Sequence, residues 1–240
     1  MKKIPPYIIK SLGDAALIID FGNTIDEKIN HIVYTLFFHL NKNPIEGVTE
    51  LIPGYCSLTL CYDVNTVLKS YSPNSAVFEW LGNKVKDAIS AIPALVEIEP
   101  SLIKVPVCYD KIFGTDLDHI AERNQISVEE IIQIHTSSVY HIYMLGFLPG
   151  FAYMGKVDER IATPRKKTPV NVEEGCVGIA GFQTGIYPLT SPGGWQIIGK
   201  CPLKIFSKEK NGTTLFKAGD RVQFYSISKD EFEDIKSRNT

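Results

Sequence analysis

GCVGIAGFQTGIYPLTSPGGWQIIGKCPLKIF (Gly175–Phe206) is the stretch on which the fold turns. Short apolar or alternating runs (CVGIAGF, GIYPL, WQIIG, LKIF) are broken every few residues by Gly or Pro. Helices need an uninterrupted 3.6-residue period, whereas short strands tolerate frequent turns. The segment therefore reads as successive strands of an all-β unit, a barrel by preference. The pattern begins upstream at HIYMLGF (His141–Phe147) and continues to DRVQFYSI (Asp220–Ile227). Lys217 to Asp220 reads as a tight turn before the last strand, and Lys229 to Thr240 as a short charged helix or a frayed tail.

Charge is distributed unevenly around this stretch. Ile131–Gly155 and Gly175–Gly199 are each 25 residues without Asp, Glu, Lys or Arg. The 19 residues between them carry nine charges, five of them basic. Ten of the 18 glycines lie between Gly146 and Gly199. Both uncharged runs are long enough to span a bilayer. Pro149, Pro188, Pro192, Gln183, Gln196 and the glycines argue against membrane helices.

Upstream, the first hundred residues read as a compact α+β unit. Ala15–Gly22, Val48–Ile52, Cys56–Tyr62 and Ile103–Tyr109 are strand-like, with Pro53-Gly54 as a turn. Asp26–Asn41 places Ile29, Val33, Leu36, Phe37 and Leu40 at helical spacing. Val77–Ile92 does the same with Val77, Trp80, Leu81, Val85, Ala88 and Ile92. The order β-α-β-β-α-β is the split ferredoxin-like pattern. Thr115–Arg123 and Val128–His135 read as short helices, the second with a Ser127/Glu130 capping box. The predicted fold class is α+β, with a ferredoxin-like domain over 1–105 and a β-barrel over 106–240 that starts with short helices.

The overall balance excludes several functions. Twenty-five basic against 27 acidic residues give −2, whereas nucleic-acid or anionic-membrane binding calls for a basic surplus. At 240 residues such a chain buries roughly 70% of its unfolded surface. The N-terminus has no long apolar core for a secretory signal. Five scattered cysteines without CxxC read as buried thiols in a reducing compartment, so the expected location is cytoplasmic. No metal-ligand spacing is present, so no metal site is expected.

Five groups of residues carry candidate chemistry. GWQIIGK (Gly194–Lys200) imitates a phosphate-binding loop, but Cys201 stands where Ser or Thr would bind Mg²⁺, and its context is strands. Lys200 alone remains a candidate phosphate or carboxylate contact. LGFLPGFAYMG (Leu145–Gly155) offers Phe147, Phe151 and Tyr153 as apolar walls, or simply a filled barrel corner. TPRKKTP (Thr163–Pro169) holds Arg165 and Lys166 between prolines. Arg165 is suited to gripping an anion, unless the run is merely a solvated face. Gln183, Tyr187, Trp195 and Gln196 supply uncharged hydrogen bonding for a neutral amide or carbonyl, or belong to turns. His135 ends a helix, where the dipole favours its charged form, so it is a proton carrier, an anion contact or a structural residue.

HTSSVYHIYMLGFLPGFAYMG (His135–Gly155), IATPRKKTPV (Ile161–Val170) and Gly175–Phe206 resemble the allophanate hydrolase subunit 1 family of carboxyltransferase subunits. That family includes B subunits of bacterial 5-oxoprolinase (PxpB) and KipI-like kinase inhibitors. Ser11–Gly22 and Ile52–Asp63 match more loosely. Two positions depart from the family pattern. Cys201 stands where Thr is expected, and Val170 follows Pro169 where relatives often place Arg.

The resemblance implies a cyclophilin-like C-terminal barrel. It also implies a carboxyltransferase-like partner from the subunit 2 family, the C subunit of the enzyme, together with an A subunit. The implied activity is ATP-dependent opening of 5-oxo-L-proline to L-glutamate, with ATP held by the complex, Mg²⁺ as its companion and no biotin on this chain. In that reading His135 would carry protons and Gln183 would donate to the lactam carbonyl. Arg165 or Lys166 would hold the substrate carboxylate, and Phe151, Tyr153 and Trp195 would exclude water. No amidase Ser-Ser-Lys signature is present. The alternative from another class is a KipI-like protein that docks on a sensor histidine kinase and blocks its autophosphorylation. A proline-binding cyclophilin-like module is the third reading.

Overall fold

A computed structural model describes residues 4–71, 75–92, 100–208 and 212–238. The chain forms two compact units, 1–98 and 99–240.

The first unit contains β1 (Ile8–Ser11), β2 (Ala16–Asp20), α1 (Glu27–Lys42), β3 (Val48–Pro53), β4 (Ser57–Tyr62), α2 (Val64–Tyr71) and α3 (Val77–Ser90). Its strands form an antiparallel sheet in the order β1-β2-β4-β3. Alternation directs Leu17, Ile19, Leu58 and Leu60 to one face, where Val33 and Leu36 of α1 and Leu81 and Val85 of α3 cover them. All eight are 0% exposed, and each such side chain stabilises the fold by roughly 1.5–3 kcal/mol. Asp26 caps α1, its Oδ1 accepting from the Lys28 and Ile29 N–H groups at 2.7 and 3.1 Å.

The β-α-β-β-α-β expectation gives way to β-β-α-β-β-α-α. The strand expected to complete the first unit, β5 (Leu102–Val107), belongs instead to the second. The division therefore falls seven residues before the anticipated boundary at 105. Ile8–Ser11 pairs with β2 although it shows no period of its own, because any extended segment with free N–H and C=O groups can complete a sheet edge.

The second unit continues with α4 (Leu117–Asn124), α5 (Val128–Ser137), β6 (Val139–Leu145), β7 (Ala152–Gly155), β8 (Val170–Val172), β9 (Cys176–Ala180) and β10 (Gln183–Ile186). It closes with β11 (Ser191–Gly193), β12 (Gln196–Lys200), β13 (Phe206–Ser207), β14 (Thr213–Thr214), β15 (Arg221–Ser226) and α6 (Lys229–Arg238). Seven strands form one sheet in the order β12-β9-β10-β7-β6-β15-β5. β5 joins β15 in parallel, and the other neighbours are antiparallel.

The sheet curls until its two edges touch. Cys108, just past β5, exchanges backbone hydrogen bonds of 2.9 and 3.0 Å with Lys200 at the end of β12. A continuous core fills the concave side, with Val177, Ile179, Ile186, Met154 and Ile142 from the strands and Ile131 and Ile134 from α5. The expected capping box is present in part, the Ser127 hydroxyl accepting from the Glu130 N–H at 3.1 Å. The turn at Lys217–Asp220 closes by Asp220 N–H to Lys217 C=O and Lys217 N–H to Asp220 Oδ2. Among the described residues no helix is long and apolar enough to cross a membrane.

Candidate functional site

The curled sheet has a second, outer apolar layer, and glycines make room for it. Successive strand residues face opposite sides. Thr184 pairs with Ile179 and Met154, and these face the core. Their neighbours Gly178, Ala180, Gln183, Gly185 and Tyr153 therefore face outward. A Cβ on Gly178 would lie 3.0 Å from the Trp195 Cβ. One on Gly185 would lie 2.7 Å from the Ala152 carbonyl, 3.3 Å from the Trp195 ring and 3.4 Å from Phe151. Trp195 and Phe151 occupy the volume that two side chains would otherwise fill.

Phe151 is the hub of this layer. Its ring lies 4.8 Å from Tyr153, 5.2 Å from Trp195 and 5.3 Å from Tyr187, tilted or edge-to-face. Val172, Ala180 and Ile197 complete the cluster. Phe151 is 1% and Trp195 6% exposed, whereas Tyr153 is half-buried. Phe151 and Trp195 thus form the floor, and Tyr153 stands at its solvent edge.

The basic loop is fastened beside this layer at three points. The Gly181 N–H donates to the Thr163 C=O at 2.7 Å, Gln196 Nε2 to the Pro164 C=O at 2.9 Å, and the Lys166 N–H to the Gly194 C=O at 2.7 Å. The two expected anion contacts then separate. Lys166 Nζ pairs with Asp116 Oδ2 at 2.6 Å, and the same oxygen accepts from the Ile197 N–H at 2.6 Å. Arg165 is exposed, with Nε 3.5 Å from where a Cβ on Gly194 would stand. Burial raises the Tyr153 and Tyr187 hydroxyl pKa values, and the Arg165 charge partly opposes that rise in each. Arg165 forms no ion pair with a described carboxylate. Its charge is thus free to act at the rim of the aromatic floor.

His135 lies elsewhere, inside the core. It is 0% exposed and stacks on Phe224 at 4.5 Å. Tyr109 Oη is 2.7 Å from Nδ1, and Thr184 Oγ1 is 3.0 Å from Nε2. The Thr184 hydroxyl donates its one proton to the Gly178 C=O at 3.0 Å, so Nε2 must donate to Thr184 and Nδ1 accept from Tyr109. The charged form expected at a helix end is not what this site favours. Desolvation lowers the pKa to about 3, because burial penalises the cation more than the helix dipole supports it. In this conformation no substrate can touch the ring.

Lys200 is also apart from the aromatic layer. Its Nζ pairs with Glu173 Oε2 at 2.5 Å and lies 5.8 Å from the Phe113 ring centre. It lines an open cleft of about 620 Å³ together with Glu173, Thr190, Lys204 and Lys236. GWQIIGK runs into strand β12, and no helix follows it. The consecutive N–H groups of a phosphate-binding helix start are therefore missing here. Among the described residues, no three His, Cys, Asp or Glu side chains are grouped to hold a metal ion. Cys201, the family departure, is buried, and desolvation lifts its thiol pKa to about 12, so it is an inert thiol.

The third aromatic of Leu145–Gly155, Phe147, has a backbone conformation that the sequence did not announce. Phe147 has φ +68°, and the Leu148 N–H bonds to the Gly146 C=O at 2.8 Å across it. That is the rare positive-φ γ-turn, which strains a bulky residue by about 1–3 kcal/mol. The Phe147 ring is 60% exposed and meets Phe151 edge-on at 5.6 Å. The glycines of GFLPG marked a turn in the sequence, and only the structure shows that Phe147 itself takes the strained position.

Comparison with known proteins gives a family, two relatives and a shared fold. Residues 7–216 match the family described as carboxyltransferase domain, subdomain C and D. The chain is 43% identical to the 5-oxoprolinase B subunit of Bacillus subtilis over 235 residues, 97% of this chain and 98% of that one. It is 32% identical to the corresponding B subunit of Escherichia coli O157:H7, over 93% and 96% of the two chains. The solved urea carboxylase of Kluyveromyces lactis shares the fold, with a TM-score of 0.80 at 19% identity. This chain is covered to 98% in that match but spans only 23% of the larger enzyme.

Proposed function

The chain belongs to the carboxyltransferase-domain family, subdomains C and D, and from that premise we propose that it is the B subunit of an ATP-dependent 5-oxoprolinase. The observation that carries this reading is the 43% identity to the Bacillus subtilis B subunit across nearly the whole of both chains. The reaction consumes 5-oxo-L-proline, water and ATP and yields L-glutamate, ADP and phosphate. We read the curled sheet as a cyclophilin-like half-barrel and the complex as cytoplasmic.

A lactam is an amide stabilised by resonance, and ATP would activate it by phosphorylating its oxygen. In this reading nucleotide and Mg²⁺ are held by the complex rather than by this chain alone. This chain would instead bind and orient the lactam. Arg165, whose charge is not engaged by a described carboxylate, holds the substrate carboxylate. Gln183, on the same outward face as Tyr153, donates to the lactam carbonyl. Tyr153 supplies the apolar wall over the Phe151/Trp195 floor and keeps water away. Lys166 tethers the loop, and His135 holds α5 to the sheet, so neither touches substrate.

The test is reconstitution with the neighbouring A and C subunits, measuring glutamate and ADP release while each chain is omitted in turn. Release that persists undiminished without this chain overturns the assignment. So does a finding that this chain alone blocks the autophosphorylation of a sensor histidine kinase while the reconstituted mixture leaves 5-oxoproline intact.

A further inference from the structure

We infer that Phe147 is the residue that contacts the lactam ring, as the lid of the aromatic floor, and the inference rests on the proposed lactam site. Phe151 and Trp195 are too deeply buried to meet a ligand, at 1% and 6% exposure. Tyr153 and Phe147 are the solvent-side rings against Phe151, and Arg165 stands at the Gly194 end of the same layer. Of these, Phe147 is held against its own conformational preference.

Three hydrogen bonds impose that conformation. The Gly146 N–H donates to the Phe151 C=O at 3.1 Å, the Phe151 N–H to the Leu148 C=O at 3.0 Å, and the Leu148 N–H to the Gly146 C=O at 2.8 Å. Next to the turn, Gly150 at φ +83° allows the chain to pass Phe206, where a Cβ would come within 3.0 Å. A glycine at 147 would occupy φ +68° without strain. A large aromatic there, with most of its surface in solvent, gains only one edge contact with Phe151 for the strain it bears. What the arrangement achieves is a ring held perpendicular to Phe151, with most of its surface open to a flat ligand. A five-membered lactam with a planar amide fits such a face, and Arg165 would take its carboxylate at the rim.

The experiment compares Phe147→Gly and Phe147→Tyr in the reconstituted three-subunit complex. Phe147→Gly should melt close to the parent, because relief of the strained turn offsets the lost contact with Phe151 and the extra freedom glycine gives the unfolded chain. Its KM for 5-oxoproline should rise roughly three- to tenfold with kcat little changed, as for an interaction made equally in ground and transition states. Phe147→Tyr keeps the ring and should keep the parent KM. An unchanged KM in Phe147→Gly overturns the inference. A melting temperature lowered by more than about 8 °C in that variant overturns it as well, since a loss beyond what glycine's chain entropy and one edge contact account for assigns the ring a structural role. Loss of co-elution with the partner subunits would also overturn it, by making Phe147 a docking residue. If the parent complex itself does not open 5-oxoproline, the proposed function fails and the inference with it. An active parent with an indifferent variant refutes the inference alone.

Discussion

Lys166 Nζ lies 2.6 Å from Asp116 Oδ2, and this pair separates two neighbouring cations in the basic loop. Asp116 also accepts from the Ile197 N–H at the start of β12. Lys166 thereby ties the loop to the sheet, while Arg165 is left to meet an anion.

Asp116→Ala should destabilise the second unit by about 1–3 kcal/mol, since both a cation and a backbone N–H in a largely enclosed place lose their partner. Chemical denaturation of the isolated protein measures it. A denaturation curve superimposable on the parent's would remove the tether from the account.

Arg165→Ala should leave the melting temperature unchanged, because the side chain is exposed. In the reconstituted complex kcat/KM for 5-oxoproline should fall about 10- to 100-fold, the value of a charge-assisted carboxylate contact of roughly 1.5–3 kcal/mol. Equal kcat/KM in parent and variant would sink Arg165 as the carboxylate contact.

Gly185→Ala tests the outer aromatic layer. The new methyl would stand 2.7 Å from the Ala152 carbonyl and against the Trp195 and Phe151 rings. Overpacking of this kind costs about 1–3 kcal/mol. Trp195 fluorescence during urea unfolding reports both the midpoint and the displacement of the ring. A parent-like midpoint would contradict the packing described.

His135 predicts a pH dependence with a definite sign. Its pKa falls from 6.5 in the unfolded chain to about 3 in the fold. Between those values the unfolded state binds the extra proton, so stability is lost as pH falls below about 6.5 and the loss is complete near 3. The slope approaches about 1.4 kcal/mol per pH unit for this one group. His135→Gln should flatten the profile between pH 6 and 4 while lowering stability at pH 7. Equal slopes in the two proteins would show that another group governs acid unfolding.

Local order was legible in the chain because it is written between near neighbours. The helical stripe of α1 appears as Val33, Leu36 and Leu40. The capping serine of α5 and the turn at Lys217–Asp220 are equally local. So is the clustering of aromatics and glycines that marked Phe151, Tyr153 and Trp195. The destination of β5 was not legible. Its partner β15 lies more than a hundred residues away, and a run such as IKVPV reads the same in either sheet. The protonation state of His135 was not legible for a related reason. Helix-end position is a local property, whereas the desolvation that lowers its pKa comes from Tyr109, Tyr140 and Phe224 on distant strands and loops.

By itself, then, the sequence determined the helices α1, α3, α4 and α5, the strands β2 to β5 and the turn at Lys217–Asp220, that two uncharged, glycine-rich runs flank one basic loop, and which family the chain resembles. Only the tertiary structure decided which basic residue is engaged by Asp116, which aromatics are floor and which are rim, and that Phe147 is held in a strained turn. The physical reason is that period and turn chemistry act over a few residues. Burial, ion pairing and imposed backbone strain depend on which distant segments the sheet brings together.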